Sequence, residues 1–308
     1  MRSLPLASAS ALLLLASATA SAAVDPALLD MAPPDTRILF GIEVQQTLTS
    51  PFGRFMLSRM PDQSAALLHF AAITGFDLRR DLHELLLATS GLRGKPVKSG
   101  VILARGTFPP GIFEMDKLRT LAGAIHARIS SYASVPLITP TDPGSNSIAI
   151  LDASTLAVGS ESALQGVINR RAQKFLFSGP LAEKAQAASA NADAWAATVT
   201  PLAALLPTSA GPWPPTFAQS ALESSAGLRF DANGVTLSAE ILTHSENEAK
   251  TLAGMFKVVA AMLKNSPAAL LQNVQFTNTG PITRATLTIA EDDLERAFPA
   301  PAQGRAAR

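Results

Sequence analysis

Cysteine is absent from all 308 residues. That excludes a disulfide framework, thiolate metal sites, cysteine nucleophiles and lipid attachment to an N-terminal cysteine, so packing must hold the fold together. Aromatic residues are only 6% of the chain, with one tyrosine, Tyr132. A carbohydrate platform or a stacking surface for single-stranded nucleic acid needs more rings than this. Neither sign of charge dominates, with 25 Lys and Arg against 24 Asp and Glu. Nucleic acid and anionic membrane surfaces require a concentrated basic patch, and none is found. Long apolar runs are missing as well. Beyond the N-terminus the most apolar stretch, Val258 to Leu263, is closed off by Lys257 and Lys264, so no transmembrane segment is expected in the mature chain.

Chemical motifs are equally scarce. There is no G-x-S-x-G elbow, no serine three residues before a lysine and no G-x-G-x-x-G loop. Gly94-Lys95 lacks the first glycine of a phosphate loop and is followed by Pro96. The four histidines, His69, His83, His126 and His244, form no metal-ligand spacing. His244 with Glu248 reads as a solvated helix start, because Ser245 and Glu248 have capping-box spacing. His83 and Glu84, with Asp77, Asp81, Arg79 and Arg80, read as ion pairing within a helix. No catalytic, cofactor-binding or metal-binding residue is assigned, and no cofactor is expected. Trp195, on an expected strand, reads as core. Trp213, among Pro207, Pro212, Pro214 and Pro215, sits in a surface loop where it packs on its own domain or anchors a partner.

What the chain does have is a leader and a core. Arg2, the apolar run Ala11 to Ala18 and the small residues Ala20-Ser21-Ala22 have the layout of a cleaved signal peptide, residues 1–22, rather than an uncleaved anchor. The mature chain is then expected to begin at Ala23, exported to the periplasm or secreted. Loss of Arg2 leaves 24 basic side chains, equal to the 24 acidic ones. At 47% hydrophobic and 16% charged, the chain can bury a large core.

The tetrapeptide TLAG occurs at Thr120–Gly123 and again at Thr251–Gly254. Each copy lies in an amphipathic run, Glu114 to Ile129 in the first case and the stretch after Ser245 in the second. Each run follows a strand opening on glycine, Gly100-Val101-Ile102-Leu103 or Gly234-Val235-Thr236-Leu237. Gly91-Leu92-Arg93 and Gly227-Leu228-Arg229 stand upstream, and Leu121 to Leu156 and Leu252 to Leu287 both span 35 residues. Further strands are expected at Arg37 to Val44 and Ala194 to Val199, with hairpins turning at Asp152-Ala153-Ser154 and Thr279-Gly280-Pro281. An extra helix is expected at about Phe52 to Thr74.

These features give an α+β chain of two pseudo-symmetric repeat units, each a mostly antiparallel sheet with helices packed on one face. The units span 33–177 and 190–298, joined by a linker helix at 178–189 and followed by a disordered tail, 299–308. The stretches APPDTRILFGIEV (Ala32 to Val44), TGFDLRRDLHELLLATSG (Thr74 to Gly91) and DASTLAVGSESALQGVI (Asp152 to Ile168) resemble exported bacterial α+β proteins of unknown function. The resemblance implies export and fold, and carries no activity. Three functions are compatible: a non-catalytic exported envelope protein with a binding or scaffolding role, a carrier of an apolar ligand such as a lipid, or a hydrolase with a spatially assembled site. An interior cavity of ligand size would favour the carrier, with Met255, Phe256, Val259 and Met262 as expected lining.

Overall fold

The structure is a computed structural model that describes residues 23–51, 53–54, 75–91, 100–108, 111, 113–142, 144–205, 219–231, 234–262 and 273–293. The expected leader, all but residues 53–54 of the helix expected at about Phe52 to Thr74, the proline loop with Trp213, His69 and the tail lie outside the described residues.

The twelve strands among the described residues join one antiparallel sheet. They are β1 (Ile38–Glu43), β2 (Leu82–Thr89), β3 (Val101–Gly106), β4 (Ala127–Tyr132), β5 (Val135–Pro140), β6 (Ser147–Asp152), β7 (Thr155–Gly159), β8 (Ala194–Thr198), β9 (Glu223–Asp231), β10 (Gly234–Leu242), β11 (Gln275–Thr279) and β12 (Ile282–Ala290). Their order is β11-β12-β10-β9-β8-β1-β2-β3-β7-β6-β5-β4. The chain is α+β, and its two halves share this one sheet, a point the sequence leaves open. β1 and β8 pair antiparallel from Ile38 opposite Thr198 to Ile42 opposite Ala194, which fuses the halves. Unpaired, each strand would leave a row of backbone groups at an open edge.

Outward from this seam the two sides run alike. One side reads β1, β2, β3, β7, β6, and the other reads β8, β9, β10, β12, β11. In both, a helix follows the third strand and a hairpin returns to pair with it: α3 (Met115–Ala124) after β3 and α6 (Glu246–Met262) after β10. Leu121 and Leu252 both lie buried on these helices, and Leu156 and Leu287 both lie on the returning strand. The first half adds the hairpin β4–β5 at the outer edge. Gly91 and Gly227 do not correspond, because Gly91 lies beyond the end of β2 while Gly227 lies in mid-β9.

Helices cover both faces rather than the single face expected. The central strands are apolar on both sides, so each side needs cover. On one face, Leu39, Leu86, Leu103, Ala149 and Ala157 pack against α4 (Glu161–Ala172), α5 (Pro180–Ser189) and an N-terminal strap, residues 24–32, that includes the single turn α1 (Pro26–Leu29). We call this the strap face. On the other, α3 packs Leu118, Leu121 and Ala122 onto Ile138 and Ile150, and α6 packs Leu252 onto Ile241. A turn α2 (Val44–Thr49) closes one end, where Val44 joins Phe76, Leu82, Ala104 and Phe108.

Trp195 pairs with Gly41 on one side and Gly227 on the other, on the strap face. A Cβ at Gly41 would overlap the indole, so β1 can pass under the ring only with glycine there. Gly41→Val is expected to lower unfolding stability by about 1–3 kcal/mol through overpacking. Phe40→Val, one residue away on the opposite face, is expected to cost less than this. Urea titrations followed by circular dichroism compare the two.

Candidate functional site

On the face opposite the strap, the middle of the sheet forms a cleft of about 630 Å³. Its floor comes from alternate positions of β1, β2, β3, β8, β9, β10 and β12, with Val274 at the approach to β11. None of the described residues lining it carries a titratable side chain. Trp195, Ser238 and Thr286 border it, but their strand positions turn their side chains to the strap face.

Register explains the floor's shape. Ala196, Ala226, Ala239 and Ala285 are successive cross-strand partners on β8, β9, β10 and β12. Four small side chains in line make a trough running across the strands. Leu228, Leu237 and Leu287 form one bank, and Ser224, Ile241 and Thr283 stand on the other. Phe40, opposite Ala196, closes the β1 end, and Leu87 and Ile102 continue the row. At about 4.8 Å per strand, the four alanines span roughly 14 Å.

Helices bound the cleft on two sides. Phe256 of α6 stacks on Phe276 with centroids 5.5 Å apart, and Thr283 Oγ1 donates to the Ala249 carbonyl at 2.9 Å. Phe76, Phe108 and Phe113 form an aromatic cap at the α2 end, at centroid distances of 5.7 and 5.4 Å. Between these walls Phe40 remains 42% exposed and Ile102 37% exposed. Two large exposed apolar residues in one cross-strand row, with Leu87 between them, are unlike the scattered singletons of an ordinary surface.

The residues singled out from sequence lie elsewhere. Met255 and Phe256 pack beside Ala221, Ile241 and Leu252 instead of lining the cleft, and the side chains of Val259 and Met262 lie outside the described residues. His83 and Glu84 lie on β2, not on a helix: only Leu78–Asp81 is helical there, with Asp77 capping it through Arg79 N–H at 2.9 Å. His83 Nε2 is 3.3 Å from Thr107 Oγ1. His126 is exposed, in a turn with φ 50°. His244 Nδ1 lies 3.0 Å from Glu248 Oε2, while Ser245 Oγ accepts the Glu248 N–H at 3.2 Å, the expected helix start. Trp195 is buried in the core. Among the described residues no three His, Asp or Glu are placed to share a metal ion, and no helix is long and apolar enough to cross a membrane.

Neither a protein-family model nor a curated protein matches the chain. Solved structures do share its fold. Three crystal forms of TP0453, a bacterial protein, are similar to it. Form III is 12% identical with a TM-score of 0.56, covering 89% of this chain and 97% of that one. Form IV is 11% identical with a TM-score of 0.52, covering 88% and 95%, and form I is 10% identical with a TM-score of 0.51, covering 90% and 97%. At such identities the likeness is one of fold alone.

The two faces of the central strands should respond differently to truncation. Leu86→Ala, facing the strap, is expected to cost about 2–5 kcal/mol. Phe40→Ala, facing the cleft, is expected to cost under about 1.5 kcal/mol, because much of its ring is already in water. Denaturant midpoints measure both, and equal losses would show the cleft floor to be ordinary core.

Proposed function

We propose that this chain is an exported, non-catalytic carrier of an apolar ligand, and that the ligand is a lipid whose acyl chain lies in the alanine trough. The observation that carries this reading is the cleft, a surface of ligand-binding volume with no titratable side chain among the described residues lining it. Its dimensions narrow the ligand class. A trough of roughly 14 Å matches the roughly 15 Å that one lipid tail spans in half of a bilayer core. A trough one alanine row wide suits an unbranched chain better than a fused ring system. The polar headgroup would stay outside, since the floor offers it no hydrogen-bonding partner and burial without one is costly.

The leader supports export, with cleavage after Ala22 and a periplasmic or secreted destination. We also propose that the matching strand orders on the two sides of the β1–β8 seam arose by duplication of one unit, with units at 33–177 and 190–298. The TLAG helices and the shared 35-residue spacing support that origin. The same order of elements on either side of a shared seam is what a fused tandem copy would leave. A scaffolding role without a ligand would leave unexplained why Phe40 and Ile102 stay apolar in water.

Native mass spectrometry of the protein purified from a bacterial host is expected to show co-purifying acyl lipid. Ala239→Trp, which fills the trough, is expected to remove that adduct and weaken binding of a fluorescent long-chain fatty acid at least tenfold, with the fold unchanged by circular dichroism. A protein that emerges lipid-free and shows no saturable fatty-acid binding is not a carrier.

A further inference from the structure

The strap, residues 24–32, is a small piece of chain with a large share of the core. Val24, Leu28, Leu29, Met31 and Ala32 are all buried against the strap face. Its single helical turn is too short to hold itself together, so its position depends on what ties it down. Downstream, Arg170 donates through Nε and Nη2 to the Met31 carbonyl at 3.1 and 2.9 Å, and the Phe177 N–H donates to Asp30 Oδ1 at 2.9 Å. Upstream, the Val24 N–H donates to Ser189 Oγ at 3.0 Å, the Asp25 N–H donates to Glu84 Oε1 at 3.2 Å, and the Asp25 carboxylate pairs with Arg105.

The upstream ties rest on an unbalanced set of charges. Glu84 is buried on β2, directly opposite Glu43 on β1 and opposite Arg105 on β3. Asp25 faces it from the strap. Asp193 at the start of β8 and His83 on β2 stand near Glu43. The Arg105 guanidinium, whose Nε has no hydrogen-bond partner, thus pairs with Asp25 and lies opposite Glu84. Glu43 and Glu84, opposite each other across the β1–β2 ladder, cannot both ionise cheaply out of water.

We propose that the strap is a pH-operated latch on this face of the sheet, held down while Glu84 carries a proton and loosened when Glu84 ionises. Burial, then the nearby Glu43 and Asp25 carboxylates, push the Glu84 carboxyl up to about 7, against the pull of the Asp25 N–H and Arg105. Glu43 is raised too, chiefly by burial. Lifting the strap returns Glu84 to water and to its ordinary value of 4.5. The closed form therefore binds a proton that the open form releases. Its hold is greatest below pH 4.5, weakens as pH rises towards 7 and is level above that.

Amide hydrogen exchange of the full chain, corrected for the intrinsic rate at each pH, reads this directly. Opening of residues 26–32 is expected to become on the order of 20-fold more frequent between pH 5.5 and 8, while α4 amides change little. Glu84→Gln is expected to make strap protection independent of pH, and Glu43→Gln to move its midpoint to lower pH. Strap protection that is flat with pH in the wild type overturns the latch, as does pH dependence that persists in Glu84→Gln or that spreads equally over α4. If the Gln variant does not fold, the wild-type comparison of strap with α4 still decides.

Discussion

The β1–β8 ladder is the contact on which the architecture depends. It lets two short runs of strands share a sheet broad enough for helices on both sides, and its central position is fixed by one residue pair. Trp195 lies across Gly41, so the largest side chain near the seam fits only where its partner has none. The ring faces the strap, where it joins the main core with Leu39 and Ala197. Because side chains alternate across a strand, fixing which face Trp195 occupies also fixes that Phe40, Ala194 and Ala196 face the cleft. A slip of one residue would exchange the core face for the cleft floor.

The two faces are built on different terms. The strap face is closed by short segments tied through specific polar contacts, several of them to backbone carbonyls or N–H groups. The cleft face is closed at its flanks by α3 and α6, each packing an apolar stripe on its own neighbouring strands. The middle strands are left with apolar residues that those helices do not reach. A sheet this wide produces such a gap from geometry: one helix is about 10 Å across and covers roughly two strands.

Much of the outline was legible in the sequence because it is locally encoded. The hairpins β6–β7 and β11–β12 carry turn residues at Asp152-Ala153-Ser154 and Thr279-Gly280-Pro281, and α6 has its cap residues and stripe in order. Strand β2 was not legible. LHELLLAT has helix formers at most positions, and its pairing with β1 and β3 overrides that preference. The hairpin β4–β5 was missed for a different reason. Its two-residue turn, Ala133-Ser134, has φ of 47° and 67°, the geometry usually marked by asparagine and glycine. The trough was the least legible feature, since its four alanines lie up to 89 positions apart in the chain and become neighbours only through three strand registers. The one local sign was the alanine content of β8, a residue usually depleted in strands.

Residues of opposite character stand next to each other where the two faces meet at the start of β2. Glu84, facing the strap, is followed by Leu85, which lines the cleft, and Glu43, facing the strap, is preceded by Ile42, which also lines it. The polar set under the strap and one end of the apolar floor are therefore opposite sides of the same two peptide segments. Backbone hydrogen bonds to β3 and β8 hold those segments in register, so a shift on one side cannot be absorbed by side-chain rotation alone. Burying carboxyl groups at that point is costly, and an apolar pair there would be cheaper for stability. Their presence is intelligible if the strap has to be held less firmly than the core it covers.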